Sequence, residues 1–162
     1  MKILRLFTLA LLLLGASHCA IIDSSDEPDG FYFIANKDGR SWTGQAEASF
    51  QGEARTTLVI LGVLPGGQAL PEEVVGVRIP FKGPGTYPVE AEAGFYYTVI
   101  GGDVVDRQYD SFGSESDHVV ISRYDSTASV VEGSFRLQVK NIKAADDQVN
   151  FRVSGFRARI LN

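Results

Sequence analysis

The acidic stretch of residues 101–117 is the part of the chain best equipped to bind a metal ion. It carries Asp103, Asp106 and Asp110 close together. Calcium prefers clustered oxygen ligands such as these carboxylates, although the spacing does not match the calcium loop of an EF-hand. Two interpretations therefore stand: a calcium site at Asp103, Asp106 and Asp110, and a solvated acidic loop.

Aromatic residues on either side of this stretch indicate a binding surface. Phe95, Tyr96 and Tyr97 are consecutive, and neighbouring residues of a strand point to opposite faces of a sheet. If Phe95 and Tyr97 belong to the core, Tyr96 is exposed, and Tyr109 and Phe112 lie near it. The prediction is a ligand-binding platform of Tyr96, Tyr109 and Phe112, with acids at its rim, for a sugar ring or a partner strand. The alternative is that these rings complete the core.

The sequence carries no enzymatic motif. Once an N-terminal leader is removed, His118 is the remaining histidine, and it follows Asp117 directly. Adjacent strand residues face opposite ways, so the two side chains are badly placed for a catalytic triad. A single histidine with one cysteine elsewhere also argues against a zinc site. We therefore expect no catalytic residues, no cofactor and no enzymatic activity.

Residues 1–18 have the pattern of a signal peptide. Lys2 and Arg5 supply the positive end, residues 6–14 form an apolar run broken only by Thr8, and residues 15–17 are small. The apolar run is shorter than the roughly 20 residues that a membrane-spanning helix needs. The pattern predicts export, with cleavage after this segment.

Cys19 follows the small residues directly, at the position of the lipidated cysteine in bacterial lipoproteins, and the chain has 1 cysteine in all. This placement predicts a lipid on Cys19 and a location in the cell envelope, as an outer-membrane lipoprotein facing the periplasm or the surface. The competing interpretation is ordinary secretion, in which Cys19 is lost with the leader.

The segment of residues 19–30 predicts a lipidated cysteine followed by a flexible, acidic tether. Cleavage removes Lys2 and Arg5 from 15 basic residues and leaves 13 against 20 acidic residues, a net charge of −7. Such a surface repels nucleic acid and anionic lipid headgroups. The expected partners are therefore the membrane, through the lipid on Cys19, and an envelope protein or a glycan.

Residues 31–162 predict one all-β domain. Short apolar or alternating runs are separated by Gly, Pro, Asn and Asp at roughly 8–12-residue spacing, without a sustained helical period. The pattern predicts an antiparallel β-sandwich of about ten strands, with a partly open β-barrel as the alternative. Residues 36–39 predict a turn, residues 101–116 a loop with a short strand at 107–109, and Gly155 a bulge.

Three groups of residues resemble β-rich lipoprotein domains of unknown function that are common in Bacteroidota. The first is Phe31, Ala35, Asp38-Gly39 and Trp42, and the second is residues 83–87, with the Gly-Thr-Tyr order at its end. The third is residues 120–125 followed by residues 131–135. The resemblance covers nearly all of residues 31–162 and implies a β-sandwich, a cell-envelope location and a lipid anchor, but no activity.

These observations together predict a cell-envelope lipoprotein that acts as a non-enzymatic binding or structural module. The alternative is a calcium-dependent glycan-binding accessory protein that uses residues 101–117 and the aromatic side chains near them.

Overall fold

The computed structural model describes residues 30–52, 54–67, 72–101 and 104–161. The predicted leader and Cys19 lie outside these residues. Within the described ranges the chain forms ten strands and no helix, which confirms the prediction of an all-β chain with about ten strands. The strands are β1 (Tyr32–Lys37), β2 (Arg40–Gln51), β3 (Thr57–Leu64), β4 (Glu72–Pro80), β5 (Gly85–Pro88), β6 (Ala91–Ile100), β7 (Val104–Phe112), β8 (His118–Asp125), β9 (Val130–Asn141) and β10 (Gln148–Leu161).

Hydrogen bonding between the strands runs around a ring. From β2 it passes through β3, β4, β6, β7, β9 and β10, and β10 pairs in parallel with β2 again. β1 lies between β10 and β2 and pairs with both, while β8 pairs with β9 and carries β5 on its other edge. The choice between a sandwich and a partly open barrel stays a prediction.

Two local predictions from the sequence are confirmed. The turn between β1 and β2 has Asp38 at φ 48° and Gly39 at φ 84°, and this pair of positive φ values suits a tight hairpin turn. In β10 the pairing with β9 shifts between Val153 and Phe156, which places a bulge at Gly155. The inward-facing residues of β10 therefore change from odd to even numbers at this point.

The predicted loop at residues 101–116 is wrong for much of its length. β7 extends from Val104 to Phe112 and pairs with β6, and its residues 109–111 also pair with β9. The local sequence pattern does not indicate this strand, because most of its residues are exposed and polar and only Tyr109 and Ser111 of β7 are buried. Backbone hydrogen bonds to two neighbouring strands, which the local sequence does not encode, hold the segment extended.

The face that β6 turns inward is the opposite of the predicted one. Gly94, Tyr96 and Thr98 are buried, and Phe95 and Tyr97 lie on the outer face. The condition on which the predicted exposure of Tyr96 depended, that Phe95 and Tyr97 belong to the core, was therefore wrong. A Cβ atom at Gly94 would lie 2.3 Å from Cδ1 of Leu137. The inward-facing positions of β6 therefore include Gly94, which has no side chain, at the point where Leu137 fills the interior.

We expect Gly94→Ala to lower the free energy of unfolding by about 1–3 kcal/mol, because the added methyl group overpacks the interior against Leu137. Urea denaturation of both proteins measures the difference. Gly67→Ala is the matched control, since nothing lies within 4 Å of the position of its Cβ. Equal stability of Gly94→Ala and the wild type would contradict the claim that Gly94 faces the interior against Leu137.

Candidate functional site

The outer face of the sheet carries a groove that crosses β2, β3, β4, β6 and β7. It encloses about 460 Å³ and combines aromatic, aliphatic and polar side chains. We call this groove the outer groove, and it is lined by Ser49, Gln51, Val59, Leu61, Arg78, Phe95, Tyr97, Val105, Gln108 and Asp110.

The centre of the outer groove is a row of residues that lie opposite one another on four strands. Leu61 of β3 pairs with Gly76 of β4, Gly76 with Phe95 of β6, and Phe95 with Asp110 of β7. A Cβ atom at Gly76 would lie 2.4 Å from Cζ of Phe95 and 2.8 Å from Cδ2 of Leu61. Because Gly76 has no side chain, the Phe95 ring can lie over β4 at this position.

Two flat groups flank the Phe95 ring. The Tyr97 ring lies nearly parallel to it, with 11° between the planes and 6.2 Å between the centroids. On the other side, Cζ of Arg78 lies 4.5 Å from the Phe95 centroid, and Nη1 of Arg78 donates a hydrogen bond to the Glu92 carbonyl oxygen at 3.2 Å. Cation–π contact and this hydrogen bond hold the guanidinium against the ring.

Polar side chains at the sides of the outer groove can donate and accept hydrogen bonds. Gln108 and Asp110 lie on β7 opposite Tyr97 and Phe95, and Ser49 lies on β2. Arg78 and Asp110 give the groove both signs of charge. Aromatic faces beside paired donors and acceptors suit a ligand with both C–H faces and hydroxyl groups.

Tyr96 of the predicted platform faces the interior and belongs to a polar cluster at one end of the ring. It is 4% exposed, so the prediction that it is exposed was wrong. Its hydroxyl donates a hydrogen bond to Oε2 of Glu73 at 3.0 Å, and Nε1 of Trp42 donates to the same oxygen at 2.9 Å. Nζ of Lys37 also donates to this oxygen. We call these four residues the Glu73 network.

The electrostatics of the Glu73 network favour the charged carboxylate. Burial alone raises the pKa of Glu73, but the hydrogen bond and charge of Lys37, with the donors Trp42 and Tyr96, outweigh burial and lower that pKa below 4.5. Burial and the neighbouring Glu73 carboxylate raise the pKa of Tyr96, so its hydroxyl stays protonated and remains a donor.

Tyr109, the second residue of the predicted platform, is also buried, at 2% exposure. Its hydroxyl donates to Oδ2 of Asp147 at 2.9 Å, and Nδ2 of Asn141 donates to the same oxygen at 3.0 Å. Its ring centroid lies 5.2 Å from that of Tyr96. Phe112 is 36% exposed and lies near Lys140, not among the residues that line the outer groove. The structure therefore does not unite Tyr96, Tyr109 and Phe112 in one exposed surface.

The predicted calcium ligands are in part outside the described residues, since Asp103 is not among them. Asp106 is exposed at the bulge of β7 and forms an ion pair with Arg107 at 3.7 Å, and Asp110 lines the outer groove. In the described ranges, no three His, Cys, Asp or Glu side chains are grouped to hold a metal ion. The three-aspartate calcium site stays a prediction.

Asp117 and His118 form hydrogen bonds to different backbone groups. Oδ2 of Asp117 accepts a hydrogen bond from the Gln138 backbone N–H at 3.1 Å, while Nδ1 of His118 lies 2.8 Å from the Ser116 carbonyl oxygen. Burial raises the pKa of Asp117 above its usual value of 3.8, against the lowering effect of the Gln138 hydrogen bond. Asp117 is thus a buried structural carboxylate that fixes β9.

Sequence reasoning missed the outer groove although it named two of its rings. Phe95 and Tyr97 were considered as core residues, and Arg78 received no role. The signal that could have located the groove is the pair Gly76 and Gly94, since glycine within a strand often marks a close approach by another group.

Comparison of the chain with protein-family models, with curated proteins and with solved structures finds no match. Within the described residues, no helix has the length and apolar character required to cross a membrane. The resemblance to the lipoprotein domains of Bacteroidota stays a prediction.

We expect Glu73→Gln to lower the free energy of unfolding at pH 7 by about 1–2 kcal/mol, because Lys37 then loses its charged partner at a partly buried site. The folded state lowers the pKa of Glu73, so its contribution is complete above pH 4.5 and is lost as the pH falls through the lower, folded-state pKa.

Urea denaturation between pH 7 and pH 3 measures this effect, and the gap between wild type and Glu73→Gln should shrink at the acidic end. Glu72→Gln is the matched control, since Glu72 is the exposed neighbour on the same strand. A gap that stays constant with pH would show that the charge of Glu73 does not stabilise the fold.

Proposed function

We propose that this protein is a non-enzymatic binding module of the bacterial cell envelope that binds carbohydrate chains through the outer groove. The observation that carries the proposal is the contact of Phe95 with both Tyr97 and Arg78, with hydrogen-bonding side chains on both sides of the groove. A sugar ring presents C–H groups on its faces and hydroxyl groups at its edge. The former pack on aromatic rings, and the latter bond to groups such as Gln108 and Asp110.

The composition of the outer groove favours a carbohydrate over an apolar peptide. Five of its ten lining residues have polar or charged side chains, and Tyr97 adds a hydroxyl group; the five are Ser49, Gln51, Arg78, Gln108 and Asp110. A polar ligand such as a sugar chain satisfies these groups, whereas an apolar ligand would leave them desolvated without partners.

The number of carboxylates supports binding without hydrolysis. Glycosidases use two carboxyl groups on either side of the scissile bond. Among the described residues that line the outer groove, Asp110 is the one carboxylate. The groove therefore lacks the acid–base pair of this reaction in the described part of the chain.

The cell-envelope part of the proposal rests on the sequence. The signal pattern of residues 1–18 and the single cysteine at Cys19 support an outer-membrane lipoprotein that faces the periplasm or the surface. The chain enters β1 through residues 19–30, which in this proposal tether the domain to the membrane. Sugar chains of the envelope or of the surroundings would then lie within reach of the outer groove.

We expect the purified mature protein to bind at least one oligosaccharide from a panel of cellohexaose, xylohexaose, maltohexaose and chitohexaose in titration calorimetry. Tyr97→Ala should weaken that binding about fivefold, because one stacking ring contributes about 1 kcal/mol. Ile142→Ala is the control, since Ile142 is 52% exposed and lies outside the groove.

The same titration in EDTA separates the calcium-dependent alternative, which requires loss of binding when calcium is removed. Failure of the whole panel, or equal binding by Tyr97→Ala and wild type, would contradict carbohydrate binding at the outer groove.

We expect the mature protein from native membranes to carry extra mass that corresponds to acyl chains on Cys19. Intact-mass spectrometry measures it, and Cys19→Ala should lose both the extra mass and the membrane retention. An unmodified protein in the soluble fraction would show ordinary secretion instead.

A further inference from the structure

The outer groove contains a cation whose charge is not neutralised by a carboxylate within the described residues. The ion pairs in this part of the chain are formed by Lys37, Arg107, Arg123 and Arg157. Arg78 is exposed on β4, lines the groove and forms none of these pairs. In the described part of the protein, its charge is therefore available to a ligand.

The contacts of Arg78 with the protein position its guanidinium and leave most of its donors unused. Nη1 donates a hydrogen bond to the Glu92 carbonyl oxygen at 3.2 Å, and Cζ lies 4.5 Å from the centroid of the Phe95 ring. The first contact uses one N–H group, and the cation–π contact uses none. Within the described residues, Nε and Nη2 of Arg78 thus remain as a pair of parallel donors beside the aromatic rings.

A carboxylate is a suitable partner for this pair of donors. The planar guanidinium and a planar carboxylate form two parallel hydrogen bonds, and these bonds are stronger than bonds between neutral groups because both partners are charged. A sugar hydroxyl group has a single oxygen and brings no charge. A carboxylate on a sugar ring that packs on Phe95 or Tyr97 would lie within reach of Arg78.

The carboxylates along the central row of the groove have basic neighbours other than Arg78. Asp110 of β7 lies opposite Lys140 of β9, and Glu47, which continues the row on β2, lies beside Arg159 of β10. Residues paired across neighbouring strands point to the same face of the sheet, so each acid shares the outer face with its basic neighbour. By contrast, the residue opposite Arg78 on β3 is apolar.

We propose that the outer groove selects sugar chains that contain uronic acids, and that Arg78 binds their carboxylate. This inference rests on the proposed function and specifies its ligand. The sugar ring packs on Phe95 and Tyr97, and the carboxylate accepts hydrogen bonds from Nε and Nη2 of Arg78. The net charge of the chain is −5, so its overall field repels an anion and the selection depends on this local contact.

The test uses two matched pairs of sugars with the mature protein in titration calorimetry, in EDTA so that no calcium bridges carboxylates. The first pair is cellohexaose and hexaglucuronate of the same linkage, and the second is the methyl ester of hexagalacturonate and the free acid. We expect the acid to bind about fivefold more tightly than its neutral partner. This preference should shrink between roughly 0.01 M and 1 M salt, because salt screens an exposed ion pair.

Three variants of the groove and one control identify the residue that recognises the acid. Arg78→Gln should make the affinities for the acid and its neutral partner equal, and Arg78→Lys should keep part of the preference, because lysine retains the charge without the paired donors. Asp110→Asn should increase the preference, since it removes a negative charge from the groove. Arg152→Gln is the matched control, because Arg152 is exposed on β10 outside the groove.

Equal binding of acid and neutral sugars by the wild type, or binding of neutral sugars alone, would overturn the selection of uronic acids and leave carbohydrate binding at the groove standing. A preference for the acid that persists in Arg78→Gln would overturn the role of Arg78. Failure of both pairs and of the neutral panel would contradict the proposed function itself, so the two failures are distinguishable. The melting temperature of each variant shows that the fold is intact.

Discussion

The pairing of β10 along both of its edges is the constraint on which the rest of the structure depends. β9 pairs with one edge from Gln148 to Arg159, while β1 and then β2 take the other edge. A chain with 1 cysteine cannot form an internal disulfide. The closed path of backbone hydrogen bonds, with the apolar interior that it surrounds, therefore holds the domain together.

The large aromatic side chains of the sheet lie against positions that have no side chain. A Cβ atom at Gly62 would lie 2.6 Å from the ring of Phe33 in the interior, and one at Gly76 would lie 2.4 Å from the ring of Phe95 on the outer face. Both glycines thus create space on their own face of the sheet. The same packing rule that completes the core also shapes the outer groove, because a close-packed sheet has no other room for these rings.

The two ends of the ring differ in chemistry. At one end, Oε2 of Glu73 accepts hydrogen bonds from three side chains, so these polar groups are paired with one another within the fold. At the other end, the rings of Phe50, Phe81 and Tyr124 contact one another at the wall of a cavity of about 450 Å³. Hydrogen bonds to a carboxylate therefore hold one end of the ring together, and contacts between aromatic rings hold the other.

Local sequence pattern determined the all-β class, the approximate number of strands and the bulge at Gly155. It also determined the Asp38-Gly39 hairpin, because that turn requires positive φ values that few residue types adopt. It also located the aromatic segment 95–97, but not the face that each ring occupies. Period-two alternation cannot decide that face when consecutive residues are all aromatic. The tertiary structure decided it through Gly94 against Leu137 and through the donors around Glu73. The outer groove arises from residues far apart in the chain, and only long-range strand pairing brings those residues together.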